Sequence, residues 1–197
     1  MRCSIVSALP LLACLASPSA CAKERPEQRP AKQQLAKQSR IDPPSRQAPT
    51  MTSDLDTLLG LRSMRKSDFI TRYSIRPESV REGAAYEGLR DVTEIHQKDT
   101  SPARFFFRGD KLVMIYLGDR GALQAYSEAA LMQRLGGAKQ AVELRSRAGK
   151  TSNQYLFPAQ GVAFSADEEV EFVEVFPPMS ESEYRQAVYR DPGPFIK

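Results

Sequence analysis

The chain has 197 residues, 41% of them hydrophobic, and a formal net charge of +4, which allows one or two small domains with an ordinary core. The positive charge belongs to the N-terminal stretch: residues 23–52 hold seven Lys/Arg against three Asp/Glu, and residues 53–197 hold 20 against 21, which weighs against a nucleic-acid module, since that needs a basic face on a folded unit. All three cysteines lie within the first 21 residues and there is a single histidine, His96, which excludes a disulfide framework, a thiolate metal site and most histidine-based chemistry in the body of the chain.

Residues 1–22 read as a signal peptide. Arg2 is a minimal positive start, "CSIVSALPLLACLA" is an apolar run of signal length, and small residues follow. The run is too short for a permanent membrane span, which needs about 20 apolar residues. Two cysteines are alternative lipidation sites. "LLAC", ending at Cys14, resembles the lipobox of bacterial lipoproteins, in which the cysteine is acylated and becomes the mature N-terminus. "PSAC", ending at Cys21, gives a better signal length but has Pro18 where a lipobox has leucine. Cleavage after Ala22 without a lipid is the remaining alternative. The expected location is exported, in the periplasm or held to a membrane by lipid, the outer membrane included.

Residues 23–53 are rich in Pro, Gln, Lys and Arg and lack apolar periodicity; Leu35, Ile41 and Met51 stand alone. The expectation is a disordered tether, semi-extended by its prolines.

The body, residues 54–197, reads as a tandem repeat with units at about 54–118 and 124–178. "KSDFITRYSI" and "SEAALMQRLG" are short amphipathic helices, the second started by Ser127-Glu128 and stopped by Gly136-Gly137. The first unit ends in "RFFFRGDKLVMIYLG", two apolar runs around Gly109-Asp110, which predicts a tight hairpin. "KLVMIYLG" is apolar on both faces and predicts a central strand. The second unit continues with "AVELRSR", the turn "AGK", "TSNQYLF", the turn "PAQG", "VAFSA" and "VEFVEVF". Parity changes along the last of these, which predicts a bulge near Phe172–Val173. Phe106 and Phe164 superpose at an offset of 58. Ser180 and Glu183 have capping-box spacing, so residues 180–190 close the domain as a helix. Residues 75–104 carry no decisive pattern; "LRDVTEIHQ" is a strand or a helix end. The fold class is therefore α+β: short helices and antiparallel β-meanders in tandem, closed by a C-terminal helix.

The short helix ending at "LG", the meander with "YLFPAQGVAF" and the closing "VEVFP" strand resemble the β-lactamase-inhibitory-protein-like group, which also includes the SmpA/OmlA (BamE) lipoproteins. The resemblance covers residues 55–178, and best 126–178. Members of the group follow the helix with "LGxP"; here it is "LGGAK", with Ala138 and no proline. The resemblance implies non-enzymatic protein binding through one sheet face, with another envelope protein as partner.

No catalytic or cofactor motif is expected. "AGKTS" lacks the upstream glycine of a phosphate loop, having Leu144 there, and is followed by a strand. His96 has no second histidine for a metal pair. No "GxSxG" turn presents a serine. Glu168, Glu169, Glu171 and Glu174 cluster, but on a turn and strand expected to face solvent, whereas a general acid needs burial. A second functional reading rests on Arg145, Arg147 and Lys150. The two arginines share a strand face and the lysine sits in the adjoining turn, an arrangement suited to a small anion or cell-wall fragment; pairing with the Glu-rich final strand is the competing reading. Exposed rings on the sheet, Tyr155 or Phe157 among them, would mark a binding surface.

Overall fold

The structure is a computed structural model that describes residue 51, residues 53–149 and residues 151–193. The signal segment, Cys14, Cys21, most of the tether and Lys150 lie outside the described residues. The packed body starts before the expected boundary at residue 54. Met51 is only 5% exposed within the main core, and Tyr126 donates a hydrogen bond to the Ser53 carbonyl. An apolar side chain next to the first helix has a core to enter, so the packed body begins by residue 51.

Helices start where side chains can cap them. Asp54 accepts from the Thr57 amide at 3.0 Å and opens α1 (Leu55–Gly60), which the sequence reading did not anticipate. Helix α2 (Lys66–Tyr73) ends at Ser74, whose φ of 50° is left-handed. Asp119 caps a single turn, α3 (Arg120–Leu123). Ser127 caps α4 (Glu128–Arg134) as its sequence predicts, accepting from the Ala130 amide at 3.2 Å. The capping box of Ser180 and Glu183 opens α5 (Glu181–Ala187).

Eight antiparallel strands form one sheet in the order β1-β2-β3-β4-β8-β7-β6-β5. The undecided stretch 75–104 holds two of them, β1 (Val80–Tyr86) and β2 (Leu89–Ile95). They are followed by β3 (Ala103–Arg108) and β4 (Lys111–Leu117), the hairpin around Gly109-Asp110. The second unit supplies β5 (Val142–Arg145), β6 (Asn153–Phe157), β7 (Val162–Ala166) and β8 (Val170–Val175). Each unit is thus a four-stranded meander, and the two join through β4 and β8, where Tyr116 pairs with Glu174.

The repeat is visible in its irregularities. In β4 the ladder skips Val113, between Phe106↔Met114 and Phe107↔Leu112. In β8 it skips Glu171, between Ser165↔Phe172 and Ala166↔Val170. The two bulges occupy equivalent positions, and the second explains the parity change, one residue before the predicted Phe172–Val173 step. They also correct the superposition of Phe106 on Phe164. Phe106 and Phe164 lie in different clusters on opposite faces, whereas Phe105 and Phe164 share one.

The outer face of the sheet carries the larger core. Leu55 and Leu58 of α1, Phe69 and Tyr73 of α2 and Leu131 of α4 cover Phe105, Phe107, Ile115, Phe157, Phe164 and Val173. Burying each such side chain contributes roughly 1.5–3 kcal/mol. The inner face packs Ala84, Leu89, Phe106, Met114, Leu156 and Phe176 against Tyr184 and Val188 of the C-terminal helix and its exit.

The edge strands β1 and β5 run in opposite senses, so their C-terminal ends lie at diagonally opposite corners. Across a flat eight-stranded sheet those corners would be more than ~30 Å apart. Yet Glu87, just past β1, lies 3.7 Å from Nη1 of Arg147, two residues past β5. Right-handed twist carries diagonal corners toward one face, here the inner one. The C-terminal helix region holds them together. The Gly88 amide donates to the Val188 carbonyl at 2.8 Å, and the Tyr189 hydroxyl donates to the Arg145 carbonyl at 3.0 Å. The inner face is therefore concave, with its diagonal corners brought together beside α5.

Candidate functional site

The arginines predicted to form a basic patch are separated by the end of β5. The strand stops at Arg145, which is exposed and reaches the C-terminal segment, 3.6 Å from Asp191 and 2.5 Å from the Gly193 carbonyl. Beyond the strand the chain turns inward. The Arg147 side chain is 8% exposed and pairs with Glu174, whose side chain is fully buried. The same guanidinium lies over the rings of Phe172 and Tyr86, at 5.1 and 5.7 Å. Arg145 and Arg147 thus face acidic partners rather than an open surface. Glu174 also corrects the expectation of a solvent-facing acidic cluster. Glu168 and Glu169 are exposed, but the β8 register turns Glu174 onto the inner face.

Glu174 organises the joined corners of this face. It accepts from the hydroxyl of Tyr86 at 2.8 Å and from the hydroxyl of Tyr184 as well as from Arg147. Gln154 donates in turn to the Tyr184 hydroxyl at 2.9 Å. Burial, and then the neighbouring carboxylate, pushes the Tyr86 and Tyr184 hydroxyls far above the usual phenol range. Burial alone would lower the Arg147 guanidinium; Glu174 beside it raises it instead. The cluster ties the sheet corner together through one buried ion pair and two tyrosine hydroxyls on the same carboxylate.

Tyr116 borders this cluster, its ring 5.0 Å from that of Tyr86 and its backbone paired with Glu174, and on its other side the surface is different. A cleft of about 340 Å³ is lined by His96, Lys98, Ser101, Pro102, Arg104, Tyr116, Gly118 and Asp119. Its floor is a cross-strand row in which Arg104 of β3 pairs with Tyr116 of β4. The Arg104 guanidinium lies 5.8 Å from the centre of the Tyr116 ring, a cation–π distance. Its nearest carboxylate, Glu94, is 3.8 Å away and is also bound by Arg81. Gly118 allows the ring to sit as it does: a β-carbon there would come within 2.6 Å of two ring carbons. Burial, and then Arg104, lowers the affinity of His96 for a proton; Glu94 opposes this and Lys98 adds to it. Burial also raises the Tyr116 hydroxyl above its usual value.

The rings that the sequence offered as surface markers are internal. Tyr155 is 7% and Phe157 0% exposed, both under the helices of the outer face. The half-exposed inner-face rings are Tyr86 and Tyr116. Tyr116 sits in a strand apolar on both sides, and only its partnership with Arg104 across the hairpin marked it. Among the described residues no group of three or more His, Cys, Asp or Glu is placed to hold a metal ion, and no helix is long and apolar enough to cross a membrane. No family model matches the chain, and neither a curated protein nor a solved structure matches it.

Proposed function

We propose that this chain is an exported, lipid-anchored envelope protein that catalyses no reaction and works by holding another envelope protein against the part of its concave sheet face around Tyr116. The observation that carries this reading is the half-exposed Tyr116, backed by Arg104 in a concavity. Tyrosine and arginine are the side chains that most often anchor protein interfaces, because each combines a large apolar or planar surface with polar donors. The anchor part rests on the sequence pattern around Cys14 and Cys21. The β-lactamase-inhibitory-protein-like resemblance points the same way, toward binding by a sheet face.

The second reading, a small-anion site at Arg145, Arg147 and Lys150, has weaker support, since Arg145 and Arg147 already face Asp191, Glu87 and Glu174.

Two experiments test the proposal. The intact mass of the protein purified from membranes should equal a chain starting at Cys14 or Cys21 plus acyl groups; an unmodified mass overturns the anchor. An envelope protein should co-purify with the wild type from solubilised membranes and be lost with Tyr116→Ala. Equal recovery with both would overturn the assignment of the binding face.

A further inference from the structure

We infer that the cleft around Arg104 is an oxyanion site, and, resting on the protein-binding reading above, that it takes a carboxylate from an acidic segment of the partner. Four donor-bearing side chains line one small concavity: His96, Lys98, Arg104 and Tyr116. Among the described residues, the structure gives none of these four side chains a hydrogen bond to an acceptor. The carboxylates nearby are already engaged. Glu94 is held by Arg81 and stands 3.8 Å from Arg104, beyond hydrogen-bond reach, and Asp119 accepts from the Ala122 amide at 3.0 Å as the cap of α3. An incoming carboxylate or phosphate meets a planar guanidinium whose fork matches two oxygens. The ring of Tyr116 fixes that guanidinium from one side, so little freedom is lost on binding.

Two other charged places on the molecule are already satisfied. A second cleft, beside Leu55, Tyr126 and Leu131, has its polar rim closed on itself by the Arg134–Asp56 pair. At the joined corners of the inner face Arg147 already has its carboxylate. The Arg104 cleft differs from both in combining a cavity, a ring-backed guanidinium and the chain's single histidine.

His96 makes the site measurable. The charged groups facing it are Arg104, Glu94 and Lys98, with Asp119 on the far side of the same cleft. Burial is the first cause of the lowered proton affinity of His96 and the charges of Arg104 and Lys98 add to it; an anion entering between those two offsets their share, so the affinity of the ring for a proton rises as the anion binds.

His96 is the chain's only histidine, and its imidazole signals can be followed by NMR in the full mature chain. The titration is run with an acetylated tetraglutamate peptide, with inorganic phosphate, and with sodium chloride at equal ionic strength. The peptide should raise the His96 pKa by about half a unit or more beyond the chloride reference. Arg104→Gln, an exposed position, should start from a higher value and lose the peptide-induced rise. A rise with phosphate and none with peptide overturns the partner carboxylate and makes the ligand a free phosphate-type ion. No rise beyond chloride with either probe overturns the site. No partner protein is needed, so failure here leaves the protein-binding reading standing, and failure to find a partner leaves this result standing.

Discussion

Tyr86, the last residue of β1, donates a 2.8 Å hydrogen bond to Glu174 of β8 although three strands lie between β1 and β8 in the sheet. The bond exists because the sheet curls over its inner face, and it helps to hold that curl. With Arg147 and Tyr184 on the same carboxylate, Glu174 ties together the first edge strand, the centre of the sheet, the chain beyond the last edge strand and the C-terminal helix.

Removing that carboxylate leaves Arg147 buried without its counter-charge. Glu174→Ala should therefore cost about 3–5 kcal/mol, the usual penalty for breaking one side of a buried pair. Tyr184→Phe removes one donor to Glu174 and the acceptor of Gln154, and should cost about 1–3 kcal/mol. Urea denaturation measures both. A loss under about 1 kcal/mol for Glu174→Ala would show that the cluster does not hold the corner.

The β1–β2 turn meets the C-terminal helix at Gly88, where a β-carbon would stand 3.0 Å from the carbonyl oxygens of Ala187 and Val188. Both atoms are backbone and cannot swing aside. Gly88→Ala should loosen the closure, and hydrogen exchange should speed up at the Tyr184 and Val188 amides, which bond to Ser180 and Tyr184. Exchange unchanged at those amides would mean that the helix is held without the turn.

The pH dependence has a definite sign. Burial and then Arg104 hold His96 below the ordinary histidine value of 6.5. Below that value the unfolded chain protonates first, so stability is full above about pH 6.5 and declines as pH falls through the lower folded-state value. Glu82 and Glu183, whose carboxyls are held below 4.5 by hydrogen bonds from Thr93 and from the Ser180 backbone, act only at lower pH. Thermal melts between pH 7 and 5 should show the decline in wild type and a flatter profile in His96→Gln. Equal slopes would remove His96 as the cause.

Helices α2, α4 and α5, the central strand β4 and the strands of the second meander were legible because their apolar periods, caps and stops are clear. "SEAALMQRLG" and "KLVMIYLG" need no partner to be read. Strand β1 was not legible, since "VREGAAY" alternates no apolar residues and is a strand only because β2 pairs with it through two irregular steps. Helix α1 is a single capped stretch that buries Leu55 and Leu58, too short to show a period. Arg147 was seen as a candidate but misplaced. Its strand ends at Arg145, and local alternation cannot foresee a turn that carries a side chain across to the opposite edge. The Arg104–Tyr116 pair joins residues twelve apart, and nothing in either stretch alone marks it.

Gly118 offers a test of the binding face that spares the fold. The three atoms nearest a β-carbon there all belong to the outer end of the Tyr116 side chain rather than to backbone. Gly118→Ala should leave the melting temperature within a few degrees of wild type and weaken partner recovery markedly, because the ring that backs Arg104 is displaced. Full recovery of the partner with a displaced ring, seen by NMR, would show that the orientation of Tyr116 does not matter.

The central claim is that the partner sits against Tyr116. The most direct measurement is ultraviolet crosslinking in the native envelope, with a benzophenone side chain placed at Tyr116 and, as reference, at exposed Lys139 beyond α4. The account predicts one discrete protein adduct from position 116, none from position 139, and loss of the adduct when Arg104→Glu is added. The same adducts from both positions, or an adduct at 116 that survives Arg104→Glu, would contradict it.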